Sequence, residues 1–132
     1  MLYEDITRRI IAAAMKVHST LGNGFQEVIY QRALEIEFSF EKLAFEREKE
    51  MPIFYREQQI GTRRADFFVE ALIMVELKAI IRLEDVHLAQ AINYLEAYNM
   101  EIGLLINFGA KSLEFKRVHN NKRIQSSHPQ IK

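Results

Sequence analysis

The stretch from Arg64 to Lys78, RADFFVEALIMVELK, most constrains what this chain can fold into. It places Asp66 on one apolar, strand-like run and the triplet Glu76-Leu77-Lys78 at the end of the next, with a break at Glu70-Ala71. An ionised carboxylate that leaves water is tolerated only when it is paired or binds a metal. The two buried strands therefore predict a partner for both carboxylates, and a divalent cation is the natural candidate.

The turn between these strands decides whether Asp66 and Glu76 meet, because a slip of one residue moves a strand side chain to the opposite face. A three-residue loop pairs Val69 with Ile73 and places Asp66 opposite Glu76, whereas a two-residue turn does not. The sequence leaves both registers open. Lys78 lies two residues beyond Glu76, and side chains two apart in a strand point the same way. Its ammonium group should therefore share a pocket with the Glu76 carboxylate.

Composition limits the class of protein and the kind of metal. A chain of 132 residues fits one domain with a single core, and 48% apolar with 27% charged residues is typical of a soluble globular protein. The absence of cysteine excludes a thiolate zinc site, so oxygen or imidazole ligands and Mg²⁺ or Mn²⁺ are favoured. With neither a signal peptide nor an apolar run of about 20 residues, a cytoplasmic protein without a membrane segment is expected.

The pattern of apolar residues predicts an α/β fold with helices on both sides of the middle strands. The second helix should bury Val28, Ala33, Leu34 and Phe38, and the third Val86, Ala89, Ile92 and Leu95. An antiparallel meander is expected in the middle of the chain, followed by a crossover to a central strand. The predicted helices span 6–21, 26–40 and 83–98, and the predicted strands 44–55, 59–69, 72–78, 102–108 and 114–118.

Several polar residues on the predicted helices could flank the site. Glu27 begins the second helix, where it is either a favourable first-turn charge or a carboxylate that leans into a neighbouring site. Tyr30 shares its face, and His87, Gln90 and Tyr94 form one stripe on the third helix. Glu76 and Lys78 also have a simpler explanation, because an ion pair at a strand end often has no function beyond solubility.

Hydrolysis of a phosphodiester bond requires a cation on the phosphoryl oxygens and help for the attacking water. Mg²⁺ prefers one or two carboxylates, which Asp66 and Glu76 could supply, together with the backbone carbonyl of Leu77. Lys78 could polarise the water or stabilise developing negative charge. Glu27 and Gln90 could hold water, metal or the DNA backbone from the flanking helices.

At these residues the chain resembles the GxxExxY proteins, a branch of the PD-(D/E)XK nuclease superfamily. Single motifs of this kind are weak, but five in the same order at matching spacing are specific. The similarity covers about residues 5–118. The motifs are Gly24-x-x-Glu27-x-x-Tyr30, Arg64-Ala65-Asp66, Val75-Glu76-Leu77-Lys78-Ala79, His87-x-x-Gln90 with Asn93-Tyr94-Leu95, and Gly103-Leu104-Leu105-Ile106-Asn107-Phe108.

The resemblance implies a restriction-endonuclease-like α-β-β-β-α-β core with a mixed central sheet, and a site that uses Mg²⁺ or Mn²⁺. It assigns Asp66, Glu76 and Glu27 to metal binding and catalysis, with Lys78 as the motif lysine and Gln90 as the glutamine of the following helix. The proline that names the superfamily is Ala65 here. Contacts with substrate are expected from Tyr30, Arg64, His87 and Tyr94.

The expected function is hydrolysis of phosphodiester bonds in nucleic acid, with DNA as the substrate. Residues 1–118 would form the nuclease-like domain, and 119–132 a poorly ordered basic tail that either touches phosphates or is simply solvated. Two alternatives remain open. The fold could serve as a binding module without catalysis, or the chain could form a homodimer through exposed apolar residues such as Phe45, Ile53 and Phe54.

Overall fold

The computed structural model describes residues 3–122, and within them the chain forms three helices and seven strands. None of these helices has the length and apolar character needed to cross a bilayer. The elements in chain order are α1 (Glu4–Leu21), α2 (Glu27–Phe40), β1 (Phe45–Arg47), β2 (Glu50–Tyr55), β3 (Gln58–Arg64), β4 (Phe67–Val69), β5 (Ile73–Lys78), α3 (Asp85–Tyr98), β6 (Ile102–Asn107) and β7 (Glu114–His119).

A five-stranded sheet with the order β1-β4-β5-β6-β7 forms the centre of the molecule. Its middle strands, β5 and β6, are parallel and joined through α3, while the other pairs are antiparallel. Alternate residues of β5 enter two cores: Ile73 packs with α1 and α2, and Met74 packs with α3. The predicted mixed sheet flanked by helices is therefore confirmed, as are the crossover and the last strand.

Two of the predicted strands are each divided in two. The stretch 44–55 forms β1 and β2, which belong to different sheets, because Glu48 between them adopts a left-handed conformation with φ of 56°. The stretch 59–69 forms β3 and β4, separated at Ala65-Asp66. The predicted single meander is wrong here, since β2 and β3 pair only with each other in a separate hairpin.

The hairpin contains a tight turn and one irregularity in its ladder. Arg56 and Glu57 form the turn with φ of 48° and 67°, which is the positive-φ geometry of a tight hairpin turn. Pro52 has no backbone N–H to donate and is tolerated at a sheet edge or a bulge. In the two-stranded sheet β2 is an edge strand, and its ladder slips between Ile53 and Phe54. The inner side of β2 packs on α3.

Helix positions were predicted more accurately than helix faces. Val28 is 40% exposed and Val86 57%, so the prediction that they are buried is wrong. Ala89 is also exposed. Both helices carry apolar residues on more than one stripe, and periodicity alone cannot select the stripe that meets the sheet. The buried residues are Tyr30, Gln31, Leu34 and Phe38 on α2 and Ala91, Leu95 and Tyr98 on α3.

The end of the described chain is part of the fold. β7 extends through His119, and the buried Asn120 donates hydrogen bonds from Nδ2 to the carbonyls of Leu95 and Met100. These bonds fix the end of β7 against the end of α3. The remainder of the predicted basic tail, residues 123–132, lies outside the described residues.

A buried asparagine fastens the segment that follows β5. Asn107 Oδ1 accepts hydrogen bonds from the backbone N–H of Ile80 at 2.9 Å and of Gly109 at 3.0 Å. Its Nδ2 donates to the Ile80 carbonyl at 3.0 Å. Because Ile80 is two residues beyond Lys78, these bonds also restrict where the end of β5 can lie.

We expect Gly109→Ala to destabilise the protein by about 2–3 kcal/mol, since overpacking of a filled interior typically carries such a penalty. A Cβ atom at Gly109 would overlap the backbone of Ile80, whereas one at Gly61 in the hairpin would meet nothing within 4 Å. Gly61→Ala is the matched control and should stay within about 0.5 kcal/mol of wild type. Urea unfolding of the three proteins tests this. Equal stability of the two variants would contradict the close approach.

Candidate active site

The register of β4 and β5 brings the two motif strands together as the three-residue loop predicts. Val69 pairs with Ile73 and Phe67 with Val75, so Asp66 comes opposite Glu76 just beyond the last pair. Asp66 Oδ2 accepts a hydrogen bond of 2.8 Å from the backbone N–H of Leu77. The Asp66 carboxylate is therefore attached to the backbone between Glu76 and Lys78.

The second oxygen of Asp66 is held from α2. Oδ1 accepts a hydrogen bond of 3.1 Å from Nε2 of Gln31, a side chain that is only 3% exposed. Asp66 thus links α2 to the end of β5. The orientation of its carboxylate is determined from both sides, as a metal or substrate ligand requires.

Glu76 is 4% exposed and pairs with a cation from the hairpin. Its Oε1 lies 2.8 Å from Nη2 of Arg63, near the end of β3. The guanidinium carbon of Arg63 lies 4.1 Å from the centre of the Tyr94 ring on α3, a cation–π contact. The Glu76 side chain is therefore bound on the α3 side of the sheet.

Compensation of this buried pair is incomplete. Among the described residues, Glu76 Oε2, Arg63 Nε and the Tyr98 hydroxyl are buried side-chain atoms without a hydrogen-bond partner. An unsatisfied buried polar atom costs about 1–3 kcal/mol and calls for a missing partner. The carboxylate of Glu76 thus keeps one oxygen available for another ligand.

Glu27 approaches the same region from the first turn of α2. Together with Val28, Gln31, Glu48 and Asp66 it lines a cleft of about 240 Å³. Of the two explanations for Glu27, the structure favours a carboxylate beside the site over a simple first-turn charge. This volume lies below the range of about 300–1,000 Å³ for pockets that bind drug-sized ligands, but it leaves room for water and a small cation.

Electrostatic effects show that these groups lie close together. Burial, and next the charge of Asp66, raise the pKa of Glu76 to about 8, although Arg63 and Lys78 act in the opposite direction. Burial also raises the pKa of Asp66 against the effect of the Leu77 N–H bond. The pKa of Glu27 is raised by burial and by Asp66, while Lys78 lowers it. All three carboxyl groups are therefore destabilised as anions and would gain from an added cation.

The backbone of β5 offers a further oxygen. The Lys78 carbonyl points towards β6, where it accepts a hydrogen bond of 2.8 Å from the Phe108 N–H. Neighbouring residues in a strand direct their backbone groups to opposite sides, so the N–H and C=O of Leu77 both point the other way, towards Asp66. The Leu77 carbonyl therefore lies on the side from which a metal bound to Asp66 would approach.

These donors fit a hard divalent cation. Within residues 3–122 no three acidic or imidazole side chains stand ready to hold a metal ion together. Mg²⁺ needs only one or two carboxylates, however, and takes its other ligands from carbonyls, water and substrate phosphate. Asp66, Glu76 with its unpartnered oxygen and the Leu77 carbonyl meet that requirement, with Glu27 across the cleft.

The other predicted residues occupy different positions. Gln90 is exposed on α3, and Arg64 is exposed at the end of β3. His87 Nδ1 accepts a hydrogen bond from the Glu84 N–H as part of the α3 capping box. Tyr94 is half-buried beneath Arg63. Of these four residues, Tyr94 alone has a described contact with a group that binds Glu76.

Tyr30 is fully buried, which contradicts a direct contact with substrate. Its hydroxyl donates a hydrogen bond of 2.6 Å to the Gly22 carbonyl and accepts one of 3.1 Å from the Phe25 N–H. Its ring stacks on Phe108 at 4.6 Å. Tyr30 therefore holds the glycine turn and the start of α2, and so positions Glu27 from within the core.

Comparison with known proteins agrees with this geometry. Residues 4–118 match the PD-(D/E)XK nuclease superfamily. The chain belongs to this superfamily. Asp66 and the Glu76-Leu77-Lys78 triplet lie on neighbouring strands, as in the motif pattern described above. The mixed sheet flanked by helices is a restriction-endonuclease-like fold. No protein of curated function matches the chain significantly.

Among solved structures, the PD-(D/E)XK chain is similar to SSO0001, known from a crystal structure. The two share 19% sequence identity with a TM-score of 0.56, and the similarity covers 95% of this chain. This chain spans 62% of the length of SSO0001. At this identity the likeness supports the fold and carries no conclusion about activity.

Sequence reasoning missed two residues of this PD-(D/E)XK site. Gln31 was not considered, although its place one turn after Glu27 put it on the same helix face and could have suggested it. Arg63 belongs to none of the motifs described above. Its contact with Glu76 depends on the separate hairpin, which the predicted meander did not contain.

The raised pKa of Glu76 leads to a stability that depends on pH. The unfolded side chain ionises near 4.5, whereas the folded one keeps its proton to about 8, so the folded state binds more protons between these values. The free energy of unfolding of metal-free protein should therefore fall as pH rises through this window. Glu76→Gln cannot ionise and should show a weaker fall. Urea unfolding in EDTA at several pH values measures both slopes, and identical slopes would contradict the shift.

Gln31→Met should destabilise the protein by about 1–2 kcal/mol, because the buried Asp66 oxygen loses its donor. The substitution keeps the apolar stem of Gln31 and removes the 3.1 Å bond to Oδ1. Gln59→Met, at an exposed position of β3, is the control and should change stability by less than about 0.5 kcal/mol. Chemical unfolding near neutral pH gives the comparison. A variant as stable as wild type would mean that Gln31 does not support Asp66.

Proposed function

We propose that this protein is a metal-dependent nuclease that hydrolyses phosphodiester bonds in DNA, within the GxxExxY branch of the PD-(D/E)XK superfamily. The observation that supports it best is the Asp66 carboxylate bonded to the Leu77 N–H at 2.8 Å, beside Glu76 and Lys78. The proposal is supported by two carboxylates, a carbonyl and an ammonium near the end of one strand. Mg²⁺ or Mn²⁺ would be the cofactor and the cytoplasm the place of action.

In this proposal Asp66, Glu76 and the Leu77 carbonyl hold the cation, with Glu27 facing it across the cleft. When bound, the metal neutralises charge on the phosphoryl oxygens and lowers the pKa of a water molecule. The residues of the chain supply orientation. Gln31 and the Leu77 N–H fix the Asp66 carboxylate, and Asn107 holds the segment after Lys78 in place.

Lys78 has two tasks in the proposed reaction. Its ammonium lies close enough to lower the pKa of Asp66, Glu27 and Glu76, so it helps to keep the ligand set ionised. At the end of β5 it is also half-exposed, and can orient the attacking water or stabilise negative charge that develops on the phosphate. Both tasks need a positive charge at this position.

A binding module without catalysis is the second candidate. It is favoured by the Arg63–Glu76 pair, which already neutralises one proposed metal ligand with a protein cation. A nucleic acid could then bind at the cleft edge without being cut. A homodimer through the hairpin, where Phe54 is 59% and Ile60 66% exposed, would fit either candidate. Phe45 and Ile53, which were expected to be exposed as well, instead pack against the two cores.

The decisive assay incubates the protein with single-stranded, duplex and branched DNA in the presence of Mn²⁺. We expect cleavage by wild type and a loss of at least about 100-fold in Lys78→Ala, as for removal of other groups that stabilise transition-state charge. Lys16→Ala, which removes a lysine paired with Glu37 on the surface of α1, should cleave like wild type. Gel analysis of the products also shows which DNA form is preferred.

Two results would count against the nuclease. Equal cleavage by wild type and Lys78→Ala would assign the activity to another site or a contaminant. Binding of DNA without cleavage under any of these conditions would favour the binding module. Calorimetry with Mg²⁺ adds a separate measurement, in which Glu76→Ala should lose most of the affinity.

A further inference from the structure

The contact between Arg63 and Glu76 is the one strong ion pair in the described chain that joins the hairpin to the central sheet. Nη2 lies 2.8 Å from Oε1, with side chains 28% and 5% exposed. The remaining described ion pairs are longer, at 3.3–4.0 Å, and have more exposed cations. A solvated surface pair needs no special explanation, but the position of Arg63 does.

Arg63 stands where a positive charge is most needed. Glu76 is the most perturbed carboxyl among the described residues and has Asp66 and Glu27 as negative neighbours. In a protein without metal, the guanidinium supplies the main direct contact to this carboxylate. Taking away one partner of a buried pair leaves an uncompensated charge, so Arg63 stabilises the empty site.

The pair is nevertheless incomplete, which leaves room for exchange. Glu76 Oε2 and Arg63 Nε are both buried without a hydrogen-bond partner. The planar guanidinium could bind a carboxylate through two parallel bonds, but only one is formed here. A divalent cation, with twice the charge and no need for hydrogen-bond geometry, can compete for the same oxygens.

Arg63 also makes a cation–π contact with Tyr94. Its guanidinium lies over the Tyr94 ring, 4.1 Å from the centre, and that contact does not involve Glu76. A stack of this kind is worth about 0.5–2 kcal/mol, depending on how well it is shielded from water. Arg63 can therefore release the carboxylate without passing fully into solvent.

We propose that Arg63 is an exchangeable counter-ion of this site: it binds the Glu76 carboxyl in the metal-free protein, pairs with it as counter-ion once that carboxyl is ionised, and leaves it when a divalent cation binds. The inference rests on the proposed function, because it assigns Glu76 as a metal ligand. Arg63 would be a positioning residue that keeps the acidic cluster folded until metal arrives. Its presence lowers the apparent affinity for metal by the free energy of the pair that must be broken.

The first test compares the affinity for Mg²⁺ by calorimetry at about pH 9, which lies above the pKa of about 8 that Glu76 has in the wild-type protein. Arg63→Met should bind Mg²⁺ about tenfold more tightly, equivalent to 1.4 kcal/mol. Arg56→Met is the matched control, because Arg56 also lies over a tyrosine ring, that of Tyr55, but at the turn of the hairpin. It should bind Mg²⁺ within about twofold of wild type.

The second test uses the wild-type protein and does not depend on a variant that folds. The guanidinium Nε–H signals of Arg63 and Arg56 are followed by nuclear magnetic resonance during addition of Mg²⁺. We expect the Arg63 signal to move with the same midpoint as the calorimetric binding curve, while the Arg56 signal stays in place. Movement of both signals together would indicate a general change in the hairpin and overturn the exchange.

The outcomes separate this inference from the proposed function. If Mg²⁺ binds wild type and Arg63→Met equally, or binds without moving the Arg63 signal, the exchange is wrong and the metal-dependent nuclease stands. If Mg²⁺ binds neither protein, both are wrong. If it binds Arg63→Met and binds wild type more weakly, the exchange is supported, even where cleavage of DNA is absent.

Discussion

Burial of three carboxyl groups at the end of β5 is the constraint on which the rest of this structure depends. The charge of Asp66 raises the pKa of both Glu76 and Glu27, and burial is the largest cause of the raised pKa in all three groups. Each is compensated by a different part of the chain: Gln31 and the Leu77 backbone at Asp66, Arg63 at Glu76, and Lys78 at all three. Helix, hairpin and sheet therefore converge on one acidic cluster, and a change in any of them would alter its charge.

The sequence predicted the centre of this arrangement because the relevant physics is local. Alternation along β5 places Glu76 and Lys78 on one side. The sequence left two registers open, and the structure has the one with a three-residue loop after Val69, which brings Asp66 opposite Glu76. The resemblance to a nuclease family then added Glu27, which periodicity alone could not distinguish from an ordinary first-turn charge. The long apolar segments around these residues allowed the mixed sheet and its helices to be predicted as well.

What the sequence did not predict depends on long-range packing or on single backbone angles. Glu48 divides a stretch that alternates correctly for one strand, because it adopts a left-handed conformation that a non-glycine residue seldom takes. The hairpin that results brings Arg63 to Glu76 from outside the central sheet, a contact between residues whose relation no local pattern encodes. The buried face of α3 was predicted only in part for a similar reason: Leu95 is buried as expected, but Ala91 and Tyr98 rather than Val86 and Ala89 meet the hairpin and the sheet.

The short connection between hairpin and sheet links the charge of the site to the position of the hairpin. Arg63 and Arg64 are the last two residues of β3, and only Ala65 and Asp66 separate this strand from β4. The same four residues thus carry the cation that pairs with Glu76 and the carboxylate that binds the Leu77 N–H. The hairpin is not free, because Met51 and Ile53 pack against the core beneath α3. The fold of the hairpin therefore keeps Arg63 beside the site whether or not its side chain pairs with Glu76, which makes it part of the site rather than a mobile surface charge.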